Sequence, residues 1–534
     1  MVSELLRNRW RRVTTARDAP ESLRSKVIGG AGWTLLSQAV VQATRLAVAI
    51  ALARLLTPED FGLAAMAIVF ATLASLFADL SLGAALIQRP EIDELHRSTI
   101  FWTTVGLGVL VTLAGVALAG PVASFFGEPE VRSLFAVLSL LFLLNSLGVV
   151  QWALLSREMA FRSLQLREMG SVAIGGLAGI GVALAGLGPW AIVTQTLVTA
   201  ATALLLLWRI SPWRPRLVFS GAVLRDAGGF GLKLFGSRLL SYANTNLDNV
   251  LVGRFLGASA LGVYALAYNV MFAPVIRLAA PLHNVLFPAF SRLQDDEPRL
   301  VRAWLQSKRV LAAVLVPIFL AMIALAPDLI RGLFGQKWSQ AVPVLQLLAT
   351  AGVAHTFVVL NWSLLQARGR AGQLLLVNII TSIAVVTAFA VGIDFGLVGV
   401  AGLFALAKWL LIVPDTWITT RSLPMRRLDA VLAVGSILPA GVAAFGLAWG
   451  VRVVLEDVGL PVLARLVIAA AVGAFAYLAL LRLRMPGLAG ELTTLVRGGR
   501  PPNDPDLMPA PIRLTPPEAA SVGGAGSERG RPPS

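Results

Sequence analysis

The 534-residue sequence predicts an all-α polytopic membrane protein. It reads as about fourteen transmembrane helices, in two pseudo-symmetric six-helix lobes plus two C-terminal helices. Three observations lead there. Hydrophobic residues make up 57% of the chain and charged residues 14%, where a soluble domain carries about 25% charged, and the mean hydropathy is +0.76. Stretches long enough to cross about 30 Å of hydrocarbon recur along the chain. Blocks of sequence also repeat at offsets of 200 and 210 residues.

In chain order, segments 1 to 6 fall at 28–52, 62–88, 99–120, 131–155, 169–187 and 189–208. Segments 7 to 12 fall at 227–256, 260–290, 310–326, 342–366, 372–392 and 396–418, and segments 13 and 14 at 429–451 and 461–482. Segments 1 and 7 begin near the glycine-rich pieces 29–32 and 228–231. These lack a phosphate-loop pattern and a preceding strand, so they are read as places where a helix can bend. Gly175 and Gly179 in segment 5 have the small-xxx-small spacing of a helix contact. Segment 8 holds Pro274, Pro281 and Pro288 and is expected to be bent or broken.

The chain divides accordingly into a basic N-terminal stretch 1–27, a first lobe 28–208, a connector 209–226, a second lobe 227–418, helices at 429–482 and a tail 485–534. In the tail Pro and Gly make up 36% of residues, a composition to which no fold is assigned. Of the 45 Lys and Arg, 33 lie in the N-terminal stretch, alternate connections and the C-terminal residues from Arg482 onward, 6 in the intervening connections and 6 inside segments. The positive-inside rule then puts both termini in the cytoplasm of a multi-pass protein of the cytoplasmic membrane. Arg11-Arg12 stands some sixteen residues before an apolar stretch too long for a signal region, so it reads as an anchor rather than a twin-arginine signal.

Cysteine is absent and the three histidines, His96, His283 and His355, lie in different segments, which argues against thiolate chemistry and a zinc site. A net charge of +16 could attract nucleic acid, but the basic residues punctuate apolar helices, so no nucleic-acid partner is expected. No connection exceeds about 20 residues, too short for a soluble catalytic domain. Neither an enzyme nor a cofactor is expected.

At offset 200, Arg54-Leu55-Leu56 and Gly62 fall on Arg254-Phe255-Leu256 and Gly262. At offset 210, Val149-Val150-Gln151-Trp152-Ala153-Leu154-Leu155 falls on Val359-Leu360-Asn361-Trp362-Ser363-Leu364-Leu365, and Gly186-Leu187 on Gly396-Leu397. Six helices separate the copies, so the halves run parallel about an axis along the membrane normal, an arrangement used by transporters. Duplication of a purely structural bundle is the competing explanation.

Polar residues inside segments decide between them. Gln38, Gln42 and Arg45 share one face of segment 1. On segment 7, Arg238, Ser241, Tyr242, Thr245, Asp248 and Asn249 form a longer stripe, with Arg277 on segment 8. Asp79 and Lys408 also stand in apolar surroundings. A charge facing lipid costs at least ~2.5 kcal/mol, so these groups should face a cavity or a partner. Gln38, Gln42, Arg45, Arg238, Tyr242, Thr245, Asn249 and Arg277 are the candidates for a substrate cavity. Asp79, Asp248 and His283 are candidates for coupling to H+ or Na+. The bland alternative for any one of them is a buried ion pair locking helices together. Arg54 and Arg254, at helix ends, read as snorkelling anchors, and Arg465 as structural.

The run Leu52-Ala53-Arg54-Leu55-Leu56-Thr57-Pro58-Glu59-Asp60-Phe61-Gly62-Leu63 resembles the first hairpin of the polysaccharide-transporter branch of the multidrug/oligosaccharidyl-lipid/polysaccharide flippases. So do Asp248 to Gly257, Leu261-Gly262-Val263-Tyr264 and Phe287 to Gln294, and the resemblance covers about residues 25–482. It implies two six-helix lobes around a central cavity. It also implies export of an undecaprenyl-pyrophosphate-linked oligosaccharide between leaflets, among membrane lipids and beside the polysaccharide assembly machinery. Within the two repeats, Arg45, Lys233, Arg238, Arg277 and Lys408 outnumber Asp79, Asp248 and Asp415, which suits an anionic substrate. A multidrug exporter of cations would call for an acidic cavity. A membrane polymerase or glycosyltransferase would need acid/base groups in the largest outer connection, 327–341, which offers only Asp328, Arg331 and Lys337.

Overall fold

The computed structural model describes residues 23–89 and 91–496, which are helical almost throughout with no strand among them. In a bilayer every backbone amide must be satisfied within its own segment, and a chain this apolar answers with helices. The first half contains α1 (Leu23–Leu55), α2 (Pro58–Asp79), α3 (Leu82–Gln88), α4 (Glu94–Phe126), α5 (Glu130–Leu138), α6 (Leu140–Ser146), α7 (Val149–Arg157), α8 (Phe161–Leu184) and α9 (Trp190–Ile210). The second half contains α10 (Gly221–Pro274), α11 (Ala280–Arg292), α12 (Glu297–Leu333), α13 (Ala341–Thr356), α14 (Asn361–Ala367), α15 (Ala371–Gly392) and α16 (Gly396–Thr420). After them come α17 (Arg427–Gly435), α18 (Leu438–Asp457), α19 (Val462–Arg484) and α20 (Pro486–Val496).

Helix starts follow local chemistry. Thr57 and Asp60 form a capping box at α2 with Pro58 in its first turn, and Asp93 caps α4. Both second helices of the repeat are broken at matching places. In the first half Leu80 and Ser81, both with positive φ, separate α2 from α3. In the second half a π-helical turn, Val275–Ala279, separates α10 from α11, the break that the prolines of segment 8 predict.

By length and composition, ten helical stretches among the described residues can cross a membrane, or eleven if the bent pair Glu130–Ser146 and Val149–Arg157 is one span. The expected fourteen is not reached by this measure. Segments 11 and 12 fall within one stretch, Ala371–Thr420, and α8, carrying Arg162, Arg167 and Glu168, is not among the ten.

Three expectations about particular segments are corrected. The glycine-rich starts of segments 1 and 7 run as uninterrupted helix, and the break within α10 lies at Gly257 instead (φ 84°). Residues 327–333 are helix rather than outer connection. Asp328 is buried in α12 between Arg452 of α18 and Arg465 of α19, at 3.7 and 3.2 Å. Those ion pairs fasten the last two long helices to the second lobe. The tail begins as helix α20, whose Leu488 and Ala489 join the core; residues 497–534, like 1–22, lie outside the described residues.

One hydrophobic core runs through both halves, with Phe142 and Leu134 at one side and Trp304, Phe319 and Trp338 at the other. The halves meet where α2 packs against α10.

Candidate functional site

Two features of the lobes can do chemistry or mechanics: a basic cavity in the first lobe and a tight seal between the lobes. The cavity measures about 1040 Å³. It is framed by α1, α2, α3, α6, α7, α8 and α9, and α10 contributes one residue, Arg238. Gly175 and Gly179 hold α8 against α9, since a Cβ on Gly175 would come within 1.9 Å of Thr199 Oγ1 and one on Gly179 within 2.8 Å of Gln195 Cβ. Gln195, Thr196 and Thr199 of α9 share the cavity wall with Arg167 and Glu168 of α8. Arg45, Arg167 and Arg238 face one carboxylate, Glu168, which is ion-paired with Arg45. Ser75, Asn145, Ser146, Trp152 and Ser171 complete the polar part of the lining. A wall with an excess of guanidinium groups is suited to phosphate, which they bind in bidentate fashion.

At the seal, the repeat becomes a reciprocal contact. A Cβ on Gly62 would stand 1.7 Å from the Ala258 carbonyl oxygen, and one on Gly262 1.8 Å from that of Pro58. Each glycine of the offset-200 pair thus lets the other half's backbone approach. Arg54 donates to the carbonyls of Gly332 and Leu333 at the end of α12, the latter at 2.8 Å. It does not snorkel; it caps orphan carbonyls of the opposite lobe. Arg254 lies 5.8 Å over the Phe125 ring, near the end of α4 in the first lobe. Lys337 Nζ donates to the Arg54 carbonyl (2.9 Å) and Trp338 Nε1 to that of Ala53 (2.8 Å), with Phe61 edge-on to Trp338. Partial burial pushes the Lys337 pKa down, and Asp60 pulls it back up.

The predicted stripes are distributed over several environments. On α1, Gln38 donates to Gln165 (3.0 Å), Gln42 accepts from Arg277 across the lobe boundary (3.2 Å) and Arg45 lines the cavity. On α10, Arg238 lines the cavity while Tyr242 donates to the Val69 carbonyl of α2. Asn249 offers its backbone amide to Asp248 (2.8 Å). Asp248 is buried and accepts from Tyr264 (3.1 Å). It lines a second cavity of about 230 Å³, inside the second lobe, with His355 and Lys408. His283 is hydrogen-bonded to Ser363 and stacked on Trp362 (4.6 Å). The side chains of Asp79, Ser241, Thr245 and Lys233 lie outside what the structure describes.

Sequence reasoning missed Arg167, Glu168 and Lys308 by placing them in cytoplasmic connections. Arg167 and Glu168 sit a turn inside α8, and Lys308 is 1% exposed within α12. Lys308 Nζ donates to Asn361 Oδ1 (3.3 Å), and Asn361 Nδ2 to Asp415 (2.7 Å). The only signal for Lys308 is a helical phase that matches the buried Leu311, Ala312 and Leu315.

Comparison with known proteins points the same way. Residues 51–343 match the family described as "Polysaccharide biosynthesis protein". The lipopolysaccharide biosynthesis protein WzxC of Escherichia coli is 30% identical over 70% of this chain and 76% of its own. The teichuronic acid biosynthesis protein TuaB of Bacillus subtilis is 28% identical over 90% of this chain and 99% of its own. Among solved structures, the lipid II flippase MurJ in an inward closed conformation superposes with a TM-score of 0.66 at 13% identity, covering 84% of this chain and 98% of MurJ. An inward-facing MATE transporter gives 0.57 at 16% identity, covering 73% of this chain and 98% of that protein. The chain is a polytopic helical member of the polysaccharide biosynthesis protein family.

Proposed function

We propose that this chain moves a lipid-pyrophosphate-linked oligosaccharide from the inner to the outer leaflet of the cytoplasmic membrane by alternating access, in the assembly of a surface polysaccharide. Undecaprenyl pyrophosphate is the carrier. The single observation that carries this reading is the charge of the first-lobe cavity, three arginines against one glutamate. With both termini cytoplasmic, the seal at Gly62 and Gly262 lies on the outer side, so the described state is shut outward. Arg45 stands nine residues before Arg54, roughly 13 Å inward, and Arg238 nineteen before Gly257, roughly 28 Å. A headgroup entering from the cytoplasm meets Arg238 first and Arg45 deeper. Moving two negative charges outward is favoured by about 4.6 kcal/mol per 100 mV in an inside-negative cell. H+ or Na+ antiport through Asp248 is the added coupling consistent with a carboxylate buried in its own small cavity. Cationic drugs are disfavoured by the same charge balance.

The test is flipping of undecaprenyl-pyrophosphoryl-sugar in proteoliposomes, read by its accessibility to an external glycosidase. Wild type should flip; Arg238→Ala should slow flipping roughly 10- to 100-fold, the value of one charge-assisted hydrogen bond, and Arg238→Lys should retain part. Normal flipping by Arg238→Ala, or transport of cationic drugs instead, overturns the reading.

A further inference from the structure

At the offset-210 repeat, Trp152 and Trp362 occupy the same position and have the same surroundings along the helix. Each is the one exposed residue in a run of five whose other members are buried: Trp152 is 44% exposed and Trp362 47%. The two differ in what lies on the ring. In the second lobe one face of the ring is covered, because α11 packs on α14 and the His283 imidazole lies parallel to Trp362, 4.6 Å away with planes 15° apart. In the first lobe the equivalent contact is α3 against α7. At offset 200 the counterpart of His283 is Gly83, which with Ala84 and Ile87 lines the basic cavity beside Trp152. Among the described residues no aromatic ring packs on Trp152 and no hydrogen bond engages its indole N–H. The second lobe thus shows a flat ring seated at this position of the repeat, and the first lobe leaves that position to the cavity.

We propose that Trp152 is a stacking platform for a pyranose ring, so that the cavity has two parts: guanidinium groups for the pyrophosphate and an indole face for the sugar attached to it. The C–H face of a pyranose is apolar and slightly positive, and an indole face is apolar and negative, so the two stack while the hydroxyls stay free to bond. The indole N–H, Asn145 and Thr196 supply nearby polar partners along the same wall. The site would recognise a hexopyranose as a class, through shape, and leave the choice among sugars to the polar groups. Trp362, already occupied by His283, would take no sugar.

This subsite rests on the flippase reading, and two probes separate its fate from that of the reading. Purified full-length protein is titrated with undecaprenyl pyrophosphate and with undecaprenyl-pyrophosphoryl-galactose, and binding is read by native mass spectrometry. Wild type should bind the sugar-bearing lipid about 5- to 10-fold more tightly than the bare pyrophosphate, the increment of one aromatic stack. Trp152→Ala and Trp152→Leu should lose that preference, Trp152→Phe should keep part of it, and Trp362→Ala should keep all of it. The leucine variant preserves apolar bulk without a ring and stands in if the alanine variant fails to accumulate. Equal binding of both probes by wild type, or an undiminished preference in Trp152→Leu, overturns the stacking platform alone. Binding of neither probe by wild type overturns the flippase reading and the platform with it.

Discussion

The two lobes share a repeat but handle their charges in opposite ways. In the first lobe Arg45, Arg167 and Arg238 line a cavity of about 1040 Å³, with the Arg45–Glu168 pair partly exposed. In the second, Lys308, Asn361, Asp415 and Thr419 are linked by hydrogen bonds in the interior, and the cavity lined by Asp248 and Lys408 is only about 230 Å³. The repeat position shows the divergence most sharply. Asn361 bridges Lys308 to Asp415, whereas its counterpart Gln151, 0% exposed, has no hydrogen-bond partner for either amide atom among the described residues. Duplicated sequence can therefore keep a backbone arrangement while one copy evolves an open basic cavity and the other an internally neutralised core.

The comparison breaks most visibly if charges in the two lobes prove equally dispensable for folding. Asp415→Ala leaves the Lys308 ammonium buried without its carboxylate and should cost about 3–5 kcal/mol, whereas Arg45→Ala breaks a partly exposed pair worth ~0–1 kcal/mol. Thermal unfolding of the solubilised protein, followed by size-exclusion fluorescence, should show a large fall for the first and little for the second. Equal shifts would sink the distinction between the lobes.

At the seal the lobes should instead behave alike. Gly62→Ala and Gly262→Ala each place a methyl group into a backbone carbonyl of the other half; relieving the overlap should cost about 1–3 kcal/mol of the closed state. Spin labels at Glu59 and Ser259, exposed positions beside the contact, should report a longer distance in both variants. These positions are preferred to Thr57, which caps α2, and Gly257, whose φ of 84° disfavours any side chain. A response in only one variant would mean that the reciprocity is geometric but not energetic.

The smallest effect has a sign that differs between the copies. Asn361→Leu removes both links of a buried bridge and should destabilise by about 1–3 kcal/mol, while Gln151→Leu removes an unsatisfied amide and should be neutral or stabilising by up to about 1 kcal/mol. Differential scanning fluorimetry on the two proteins decides it, and a loss of stability in Gln151→Leu would mean that this amide has a role.

The helical fold and its duplication were legible because apolar length and repeat offset are properties of the chain itself. The cavity was legible only in part. Arg45 and Arg238 were found by asking which charges sit in apolar segments, the criterion that dropped Arg167, Glu168 and Lys308, because helices α8 and α12 extend well beyond their apolar centres. The stripe on α10 was read as one surface, yet Arg238, Tyr242 and Asp248 face the first-lobe cavity, the lobe boundary and the second-lobe cavity in turn. A helix between two bodies has more than one buried face, and periodicity alone does not say which neighbour each face meets.

The paired glycines of the seal also carry a record of descent. Position 62 touches 258 while 262 touches 58, which is the pattern of an isologous interface, where residue i of one subunit meets residue j of the other and j meets i. In an unfused ancestral dimer a single glycine codon would have supplied both contacts at once, and any mutation there would have struck the interface twice. After fusion each contact has its own codon. A change on one side can then be tolerated or compensated alone, and that freedom is what allows two halves that began identical to become a lobe with an open basic cavity and a lobe with a closed, neutralised core.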